Sequence, residues 1–156
     1  MKKIIFLSGL PGTGKSTYCS QNFINNEVII SSDEIRKKMT KAYNVFPKDP
    51  NLVYNEMISQ TNELLKLNHD ITIVLDSTFL DDIRRNYFIE KLMGYDNLSL
   101  IMLKVHSIET ILKRNKSRNP EKWVPEEIIL DMAKRFSSPS QDYVHFYSEL
   151  KEIYVD

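Results

Sequence analysis

The sequence predicts an α/β fold in which a parallel sheet carries helices on both faces. Short, continuously apolar segments alternate with longer segments of helical character, a pattern typical of parallel strands joined by crossover helices. A glycine-rich segment follows the first apolar run and precedes a polar segment with helical character, which is the position of a strand-to-helix loop. A chain of 156 residues can bury a sizeable core, so we expect one domain over residues 1–156.

Apolar runs predict the strands, and the segments between them predict the helices. The predicted strands are Lys3–Ser8, Glu27–Ser31, Ile71–Asp76, Leu98–Val105 and Glu152–Val155. The predicted helices are Lys15–Phe23, Asp33–Thr40, Asn51–Leu67, Asp81–Met93, Ile108–Asn115, Pro125–Phe136 and Gln141–Leu150. Tyr143, Phe146 and Tyr147 are spaced as the apolar face of that last helix.

Composition narrows the classes of function. Lysine and arginine (21 residues) balance aspartate and glutamate (21 residues), so no global field attracts a polyanion. Basic residues nevertheless cluster within 36–48 and 113–122. No apolar stretch approaches the roughly 20 residues that span a bilayer, so we expect no membrane segment. The single cysteine, Cys19, excludes an internal disulfide and favours a cytoplasmic protein, and no protein partner is evident.

Residues 9–16 read Gly-Leu-Pro-Gly-Thr-Gly-Lys-Ser, a complete Walker A phosphate-binding loop. Its glycines allow successive N–H groups to turn towards an anion, and the helix that follows adds unpaired N–H donors. The residues expected to bind a nucleoside triphosphate are Gly12, Thr13, Gly14, Lys15, Ser16 and Thr17. Lys15 can reach the β- and γ-phosphates, and the Ser16 hydroxyl can ligate magnesium. A ligand-free glycine-rich turn is the less favoured alternative.

The second predicted strand ends beside Asp33 and Arg36. In an open parallel sheet, function gathers beyond the carboxyl ends of the strands. Asp33 suits a helix N-cap, but it also suits a general base that takes the proton from an accepting hydroxyl. Arg36 lies one helical turn later and can bind an acceptor phosphate through two N–H groups. The pair therefore favours the catalytic interpretation.

The third predicted strand is apolar and ends at Asp76-Ser77-Thr78. An apolar strand that ends in a carboxylate resembles a Walker B strand, whose acid holds magnesium directly or through water. Beside a Walker A loop, this pattern predicts Asp76 as a metal ligand. Thr78 is a candidate substrate contact, whereas Arg84 and Arg85 on the next helix suit a structural role.

Residues of about 114–124 have the composition of a small mobile lid. Arg114 and Arg118 share one face of a helix end and precede a polar stretch. Arginines in a lid can offset the charge that develops on the transferred phosphoryl group. Basic residues near a helix C-terminus also favour the helix dipole, which is the alternative explanation. Trp123 fits a packing anchor for the lid better than a base-stacking platform.

Four segments together resemble the polynucleotide 5′-kinase family, in particular the kinase half of the bacteriophage enzyme. They are Gly-Leu-Pro-Gly-Thr-Gly-Lys-Ser-Thr at 9–17, Ser-Asp-Glu-Ile-Arg at 32–36, Asp-Ser-Thr at 76–78 and Lys-Arg-Asn-Lys-Ser-Arg at 113–118. The resemblance spans nearly the whole chain, and the aspartate–arginine pair together with the lid is more specific than Walker A alone. Phe79 is a departure, because relatives often have asparagine after the threonine.

The resemblance implies a P-loop kinase that uses ATP and Mg²⁺ and phosphorylates a hydroxyl, above all the 5′-hydroxyl of a polynucleotide. It assigns Lys15 and Ser16 to ATP and magnesium, Asp33 to the base, and Arg36 to the acceptor's 3′-phosphate. Arg118 would bridge the donor phosphates from the lid, with Arg114 nearby. The expected partner is a nucleic-acid 5′-hydroxyl end or a small phosphorylated acceptor. A small-molecule, nucleotide or nucleotide-sugar kinase and an ATP-binding switch or ATPase remain alternatives.

Overall fold

The computed structural model describes residues 1–156 as one sheet surrounded by helices. The strands are β1 (Lys2–Ser8), β2 (Val28–Ser31), β3 (Ile71–Ser77), β4 (Asn97–Lys104) and β5 (Glu149–Tyr154). The helices are α1 (Lys15–Asn22), α2 (Ser32–Thr40), α3 (Asn51–Leu67), α4 (Asp82–Lys91), α5 (Ile108–Ser117) and α6 (Glu126–Arg135). Single 3₁₀ turns lie at Pro120–Lys122 and Val144–Phe146. Every predicted strand and all but one predicted helix are present, with ends shifted by up to a few residues.

The five strands are all parallel, in the order β2-β3-β1-β4-β5. This arrangement confirms the predicted α/β class. The register pairs Asp76 of β3 with Leu7 of β1 on one side and with Ser31 of β2 on the other. The carboxyl ends of these three strands therefore meet at one edge, and the loops that carry the predicted site residues leave from that edge.

The sheet is apolar on both faces. Ile4 and Phe6 of β1 belong to the larger core, whereas Ile5 and Leu7 belong to a smaller core that includes Cys19 of α1. Because successive strand residues point to opposite faces, this pattern requires helices on both sides. None of the helices has the combination of length and apolar character that crossing a membrane requires.

The predicted helix Gln141–Leu150 is wrong. Its middle forms only the 3₁₀ turn Val144–Phe146, and β5 begins at Glu149, three residues before the predicted strand. Tyr147 is buried, with its ring centroid 6.4 Å from that of Phe6, whereas Phe146 is 41% exposed. The Ser148 N–H bonds to the Leu98 carbonyl and leads the chain into pairing with β4. Sheet pairing with a distant strand thus overrides the helical spacing of the aromatic residues.

Candidate active site

The glycine-rich loop joins β1 to α1, as predicted. Gly12 and Gly14 have φ angles of 88° and 97°, a region that residues with side chains rarely adopt. A Cβ at Gly12 would lie 2.9 Å from the Ile111 carbonyl oxygen, so the loop packs directly on α5. A Cβ at Gly14 would meet nothing within 4 Å. Gly14 therefore faces open space at the start of α1, and the first turn of a helix carries unpaired N–H groups that can bind an anion.

Lys15 and Asp76 are opposite charges that influence each other's ionisation. The Lys15 ammonium donates to the carbonyl oxygens of Gly9 at 2.8 Å and Leu10 at 3.3 Å, so it lies against the loop. Asp76 ends β3 and is only 8% exposed. Burial lowers the pKa of Lys15, and Asp76 opposes that shift. Burial likewise raises the pKa of Asp76, and Lys15 opposes it. The pair is consistent with the predicted phosphate and metal roles.

Asp33 is an ion-pair partner of Arg36 and not a helix cap. The N-cap of α2 is Ser31, whose hydroxyl accepts from the Glu34 N–H at 3.4 Å. The N-cap alternative for Asp33 is therefore wrong, because Asp33 is already the second residue of the helix. Arg36 Nη2 lies 3.0 Å from Asp33 Oδ1. Asp33 keeps 55% of its side chain exposed against 15% for Arg36, so the carboxylate remains accessible.

Two hydrogen bonds from adjacent residues hold the turn that contains Thr78. Its carbonyl oxygen accepts from the Ser8 hydroxyl at 2.7 Å and from the Gly9 N–H at 3.3 Å. Phe79 has φ 45° and is fully buried, stacked on Phe6 with ring centroids 4.4 Å apart. The chain thus directs the Phe79 ring into the core. Arg85 is also fully buried, and it donates to the Phe79 carbonyl at 2.9 Å. Its role is therefore structural.

The two lid arginines have different environments. Arg114 lies within α5 and donates to the carbonyls of Thr13 at 3.1 Å and Val155 at 2.9 Å, so it braces the phosphate loop. Arg118 follows the helix, and its Nη2 donates to Asn115 Oδ1 at 2.9 Å and to the Lys122 carbonyl at 2.8 Å. The buried Nε of Arg118 has no partner. Arg118 thus uses only Nη2 for hydrogen bonds within the protein, whereas Arg114 uses both Nη1 and Nη2.

Asn115 is a site residue that the sequence reasoning missed. It is 1% exposed, and its amide donates to the Val124 carbonyl at 2.8 Å while its Oδ1 accepts from the Val124 N–H at 3.0 Å. The same Oδ1 orients Arg118. Trp123 adds a hydrogen bond from its indole to the Arg118 carbonyl at 2.8 Å. Asn115 thus fixes both ends of the lid, and the only sequence signal was a small amide among basic residues.

One cavity of about 800 Å³ brings the predicted residues together. All twelve line it: Gly12, Thr13, Gly14, Lys15, Ser16, Thr17, Asp33, Arg36, Asp76, Thr78, Arg114 and Arg118. Four aromatic residues that the sequence reasoning did not assign to a site also line it: Tyr18, Tyr43, Phe46 and Tyr54. The volume of the cavity is typical of a small-molecule site. The glycine-rich loop and the Asp33–Arg36 pair line the same cavity.

The residues present fit a nucleoside triphosphate with magnesium. The first turn of α1, Lys15 and the Arg118 guanidinium line the cavity and carry donors for phosphate oxygens. No group of three or more histidine, cysteine or acidic residues could hold a metal ion. Ser16 and Asp76, which both line the cavity, are the residues that would hold magnesium, with phosphate oxygens and water as its further ligands. Bound there, the ion would neutralise charge on the phosphates.

Solved structures of other proteins share the fold of this chain. The chain superposes on a chain of the Pnkp1/Rnl/Hen1 RNA repair complex with a TM-score of 0.72 and 20% identity, covering 86% of this chain and 44% of that one. Kti12 from Chaetomium thermophilum in complex with ADP-AlF3 superposes with a TM-score of 0.69 and 14% identity, covering 98% of this chain and 89% of that one. A gluconokinase from Sinorhizobium meliloti 1021 superposes with a TM-score of 0.63 and 16% identity, covering 99% of this chain and 83% of that one.

Sequence comparison identifies the family. The L-seryl-tRNA(Sec) kinase of Methanococcus maripaludis is 29% identical over 163 residues, and the match covers 98% of this chain. This chain spans only 58% of the length of that curated relative. Residues 4–139 match the family model AAA_33, described as an AAA domain. Because that match covers most of the chain, the protein belongs to the AAA domain family AAA_33 and has the fold of P-loop kinases, which use ATP.

Proposed function

We propose that this protein is an ATP- and Mg²⁺-dependent kinase that phosphorylates a hydroxyl group, most favourably the 5′-hydroxyl at a nucleic-acid end. The observation that carries the proposal is the Asp33–Arg36 pair, which shares one cavity with the phosphate loop. A nucleotide switch needs no paired base and acceptor-binding arginine after the second strand. Transfer to an alcohol needs both a proton acceptor and a means of holding the acceptor.

On the donor side, the phosphates of ATP bind at the first turn of α1. The N–H groups of this turn and the Lys15 ammonium contact the phosphate oxygens, and Lys15 exchanges its bonds with the Gly9 and Leu10 carbonyls for bonds to phosphate. Ser16 and Asp76 hold the magnesium ion. Burial of Lys15 strengthens its interaction with phosphate, because fewer water molecules screen the charge.

On the acceptor side, Asp33 takes the proton of the attacking hydroxyl. Its carboxylate is more than half exposed at the cavity, so a hydroxyl can approach within hydrogen-bonding distance. Arg36 binds the 3′-phosphate of the acceptor nucleotide, and its existing ion pair keeps its guanidinium next to Asp33. Thr78 contacts the acceptor from the fixed turn after β3.

The lid, residues of about 114–124, completes the site over the donor phosphates. Arg118 supplies a planar cation where negative charge spreads over the transferred phosphoryl group. Its orientation is set by Asn115 and by the Lys122 carbonyl. Arg114 acts from α5 by holding the Thr13 carbonyl of the phosphate loop in place.

Known relatives support kinase chemistry and leave more than one acceptor to test. One relative is named an L-seryl-tRNA(Sec) kinase, and one structural neighbour is named a gluconokinase. The RNA repair complex supports a nucleic-acid end through its fold alone. A small-molecule, nucleotide or nucleotide-sugar acceptor is therefore the second candidate.

A labelled-ATP assay with a panel of acceptors tests the proposal. The panel contains 5′-hydroxyl DNA, 5′-hydroxyl RNA, seryl-tRNA, nucleosides, nucleoside 3′-monophosphates, gluconate and other sugars. We expect a nucleoside 3′-monophosphate to have a much higher kcat/KM than the bare nucleoside. The acceptor KM should rise modestly with salt, as expected for about one to three phosphate contacts. Label entering a sugar and no nucleic acid would overturn the polynucleotide proposal.

The Arg36→Ala variant locates the phosphate preference. In this variant, the ratio of kcat/KM for the 3′-monophosphate to kcat/KM for the bare nucleoside should fall towards one. A general loss of activity would lower both values and leave their ratio unchanged. Arg135→Ala is the matched control, because Arg135 is a half-exposed arginine that also pairs with an aspartate, Asp131, but lies outside the cavity. An unchanged ratio in Arg36→Ala would remove Arg36 from the acceptor site.

A further inference from the structure

The acceptor side of the cavity has an aromatic wall, defined here as Tyr43, Phe46 and Tyr54. Tyr43 and Phe46 belong to the irregular segment between α2 and α3, and Tyr54 lies in the first turns of α3. All three line the same cavity as Asp33 and Arg36. The proposed catalytic roles use none of these rings.

The wall is attached directly to the proposed phosphate-binding arginine. Arg36 Nε donates to the Tyr43 carbonyl at 3.0 Å, and the Arg36 guanidinium carbon lies 4.4 Å from the centroid of the Phe46 ring. The same guanidinium pairs with Asp33. A ligand held by Asp33 and Arg36 therefore lies immediately beside the aromatic wall.

Phe46 is the ring of this wall that remains open. Tyr43 has two ammonium groups over its ring, Lys37 at 4.3 Å and Lys122 of the lid at 4.6 Å. Tyr54 packs on Phe88 in the core, with ring centroids 5.6 Å apart. Phe46 has one cation, Arg36, yet it is 59% exposed. A phenyl ring left exposed in a binding cavity offers a flat apolar surface that a ligand can cover.

The chemistry around the wall favours a nucleobase as that ligand. Aromatic rings interleaved with lysine and arginine are the means by which proteins bind single-stranded nucleic acid, since bases stack on the rings while cations meet the phosphates. A sugar or sugar acid would instead need hydrogen-bonding groups for its hydroxyls, which the exposed Phe46 ring does not supply.

We propose that Phe46, positioned by Arg36, is the stacking platform for the base of the nucleotide that carries the accepting hydroxyl. This proposal rests on the proposed function and deepens it, because it makes the base itself part of what the enzyme recognises. The sugar hydroxyl then meets Asp33, the 3′-phosphate meets Arg36, and the base covers Phe46. The aromatic wall thereby selects nucleotides over sugar phosphates that carry the same hydroxyl and phosphate.

Two acceptors that differ only in the base test this inference. One is deoxythymidine 3′-monophosphate, and the other is the abasic 1,2-dideoxyribose 3-phosphate, with the same 5-hydroxyl and the same phosphate. We expect the wild-type protein to prefer the base-bearing acceptor by at least about fivefold in kcat/KM, the lower end of the range for stacking one base on an aromatic side chain. Equal use of the two acceptors would overturn the inference and leave the proposed kinase function standing.

Substitutions at Phe46 assign the preference to the ring. Phe46→Leu should lose most of the preference in kcat/KM for the base-bearing acceptor over the abasic one. Phe46→Tyr, which keeps an aromatic ring, should retain that preference. Phe146→Leu is the matched control, because Phe146 is also a half-exposed phenylalanine (41%) and lies outside the cavity. A full base preference in Phe46→Leu would refute the role of Phe46. If neither acceptor takes label while a sugar does, the proposed function itself fails, and this inference fails with it.

Discussion

The Asp33→Asn variant separates chemistry from folding at the proposed general base. Asparagine has nearly the same shape but cannot accept a proton from a hydroxyl. We expect kcat to fall by a hundredfold or more, within the range for loss of general base catalysis, and ATP affinity to stay near that of the wild type. A hundredfold loss corresponds to about 2.7 kcal/mol on the activation barrier.

The expected effect of Asp33→Asn on folding is much smaller. The variant removes one ion pair, Asp33–Arg36, in which the aspartate is 55% exposed. Exposed pairs of this kind contribute about 0–1 kcal/mol to stability. The helix cap is untouched, since Ser31 provides it. The structure therefore predicts a large kinetic effect with little change in the free energy of unfolding.

Ser31→Ala gives the opposite pattern and serves as the control. It removes the hydroxyl that accepts from the Glu34 N–H, and loss of an N-cap costs about 1 kcal/mol. Chemical denaturation and steady-state kinetics are measured on both variants. If Asp33→Asn lowers stability by more than Ser31→Ala while its kcat is unchanged, then Asp33 is a structural residue and the catalytic proposal is refuted.

Three further predictions concern the donor side. Lys15→Ala should abolish turnover and leave the circular dichroism spectrum unchanged; an active variant would exclude the phosphate loop from the mechanism. Arg118→Lys keeps the charge but loses the planar guanidinium, so kcat should fall strongly with little change in ATP affinity, and a variant with normal kcat would contradict the lid role. Burial raises the pKa of Asp76, so its carboxylate protonates at a higher pH than an ordinary aspartate, and activity on the acid side should decline with a midpoint above 3.8. Higher Mg²⁺ should move that midpoint down, because the cation favours the carboxylate; a midpoint independent of Mg²⁺ in a pH–rate profile would argue against metal binding at Asp76.

The last helix shows where sequence patterns cease to decide structure. Tyr143, Phe146 and Tyr147 have helical spacing, but the chain there meets the free edge of β4. Burial of Tyr147 against Phe6 and backbone pairing with β4 decide the outcome. Neither partner is close in sequence, so no local pattern could reveal the strand that begins at Glu149.

The sequence by itself determined the α/β class and the phosphate loop. The loop is predictable because its glycines, Lys15 and Ser16 all lie within residues 9–16, and because local backbone conformation creates the anion site. Asp33, Arg36 and Asp76 were predicted to lie together for a related reason, since parallel strands deliver the residues that follow them to one edge of the sheet, and they do line one cavity.

Only the tertiary structure decided how these residues are oriented and what surrounds them. It assigned the α2 cap to Ser31, oriented Arg118 through Asn115, and placed Phe46 against Arg36 in the cavity. Each of these results depends on where a side chain points and on which distant group is left to meet it. Those contacts are set by the packing of whole elements, because residues that are neighbours in the cavity are separated along the chain by strands and helices.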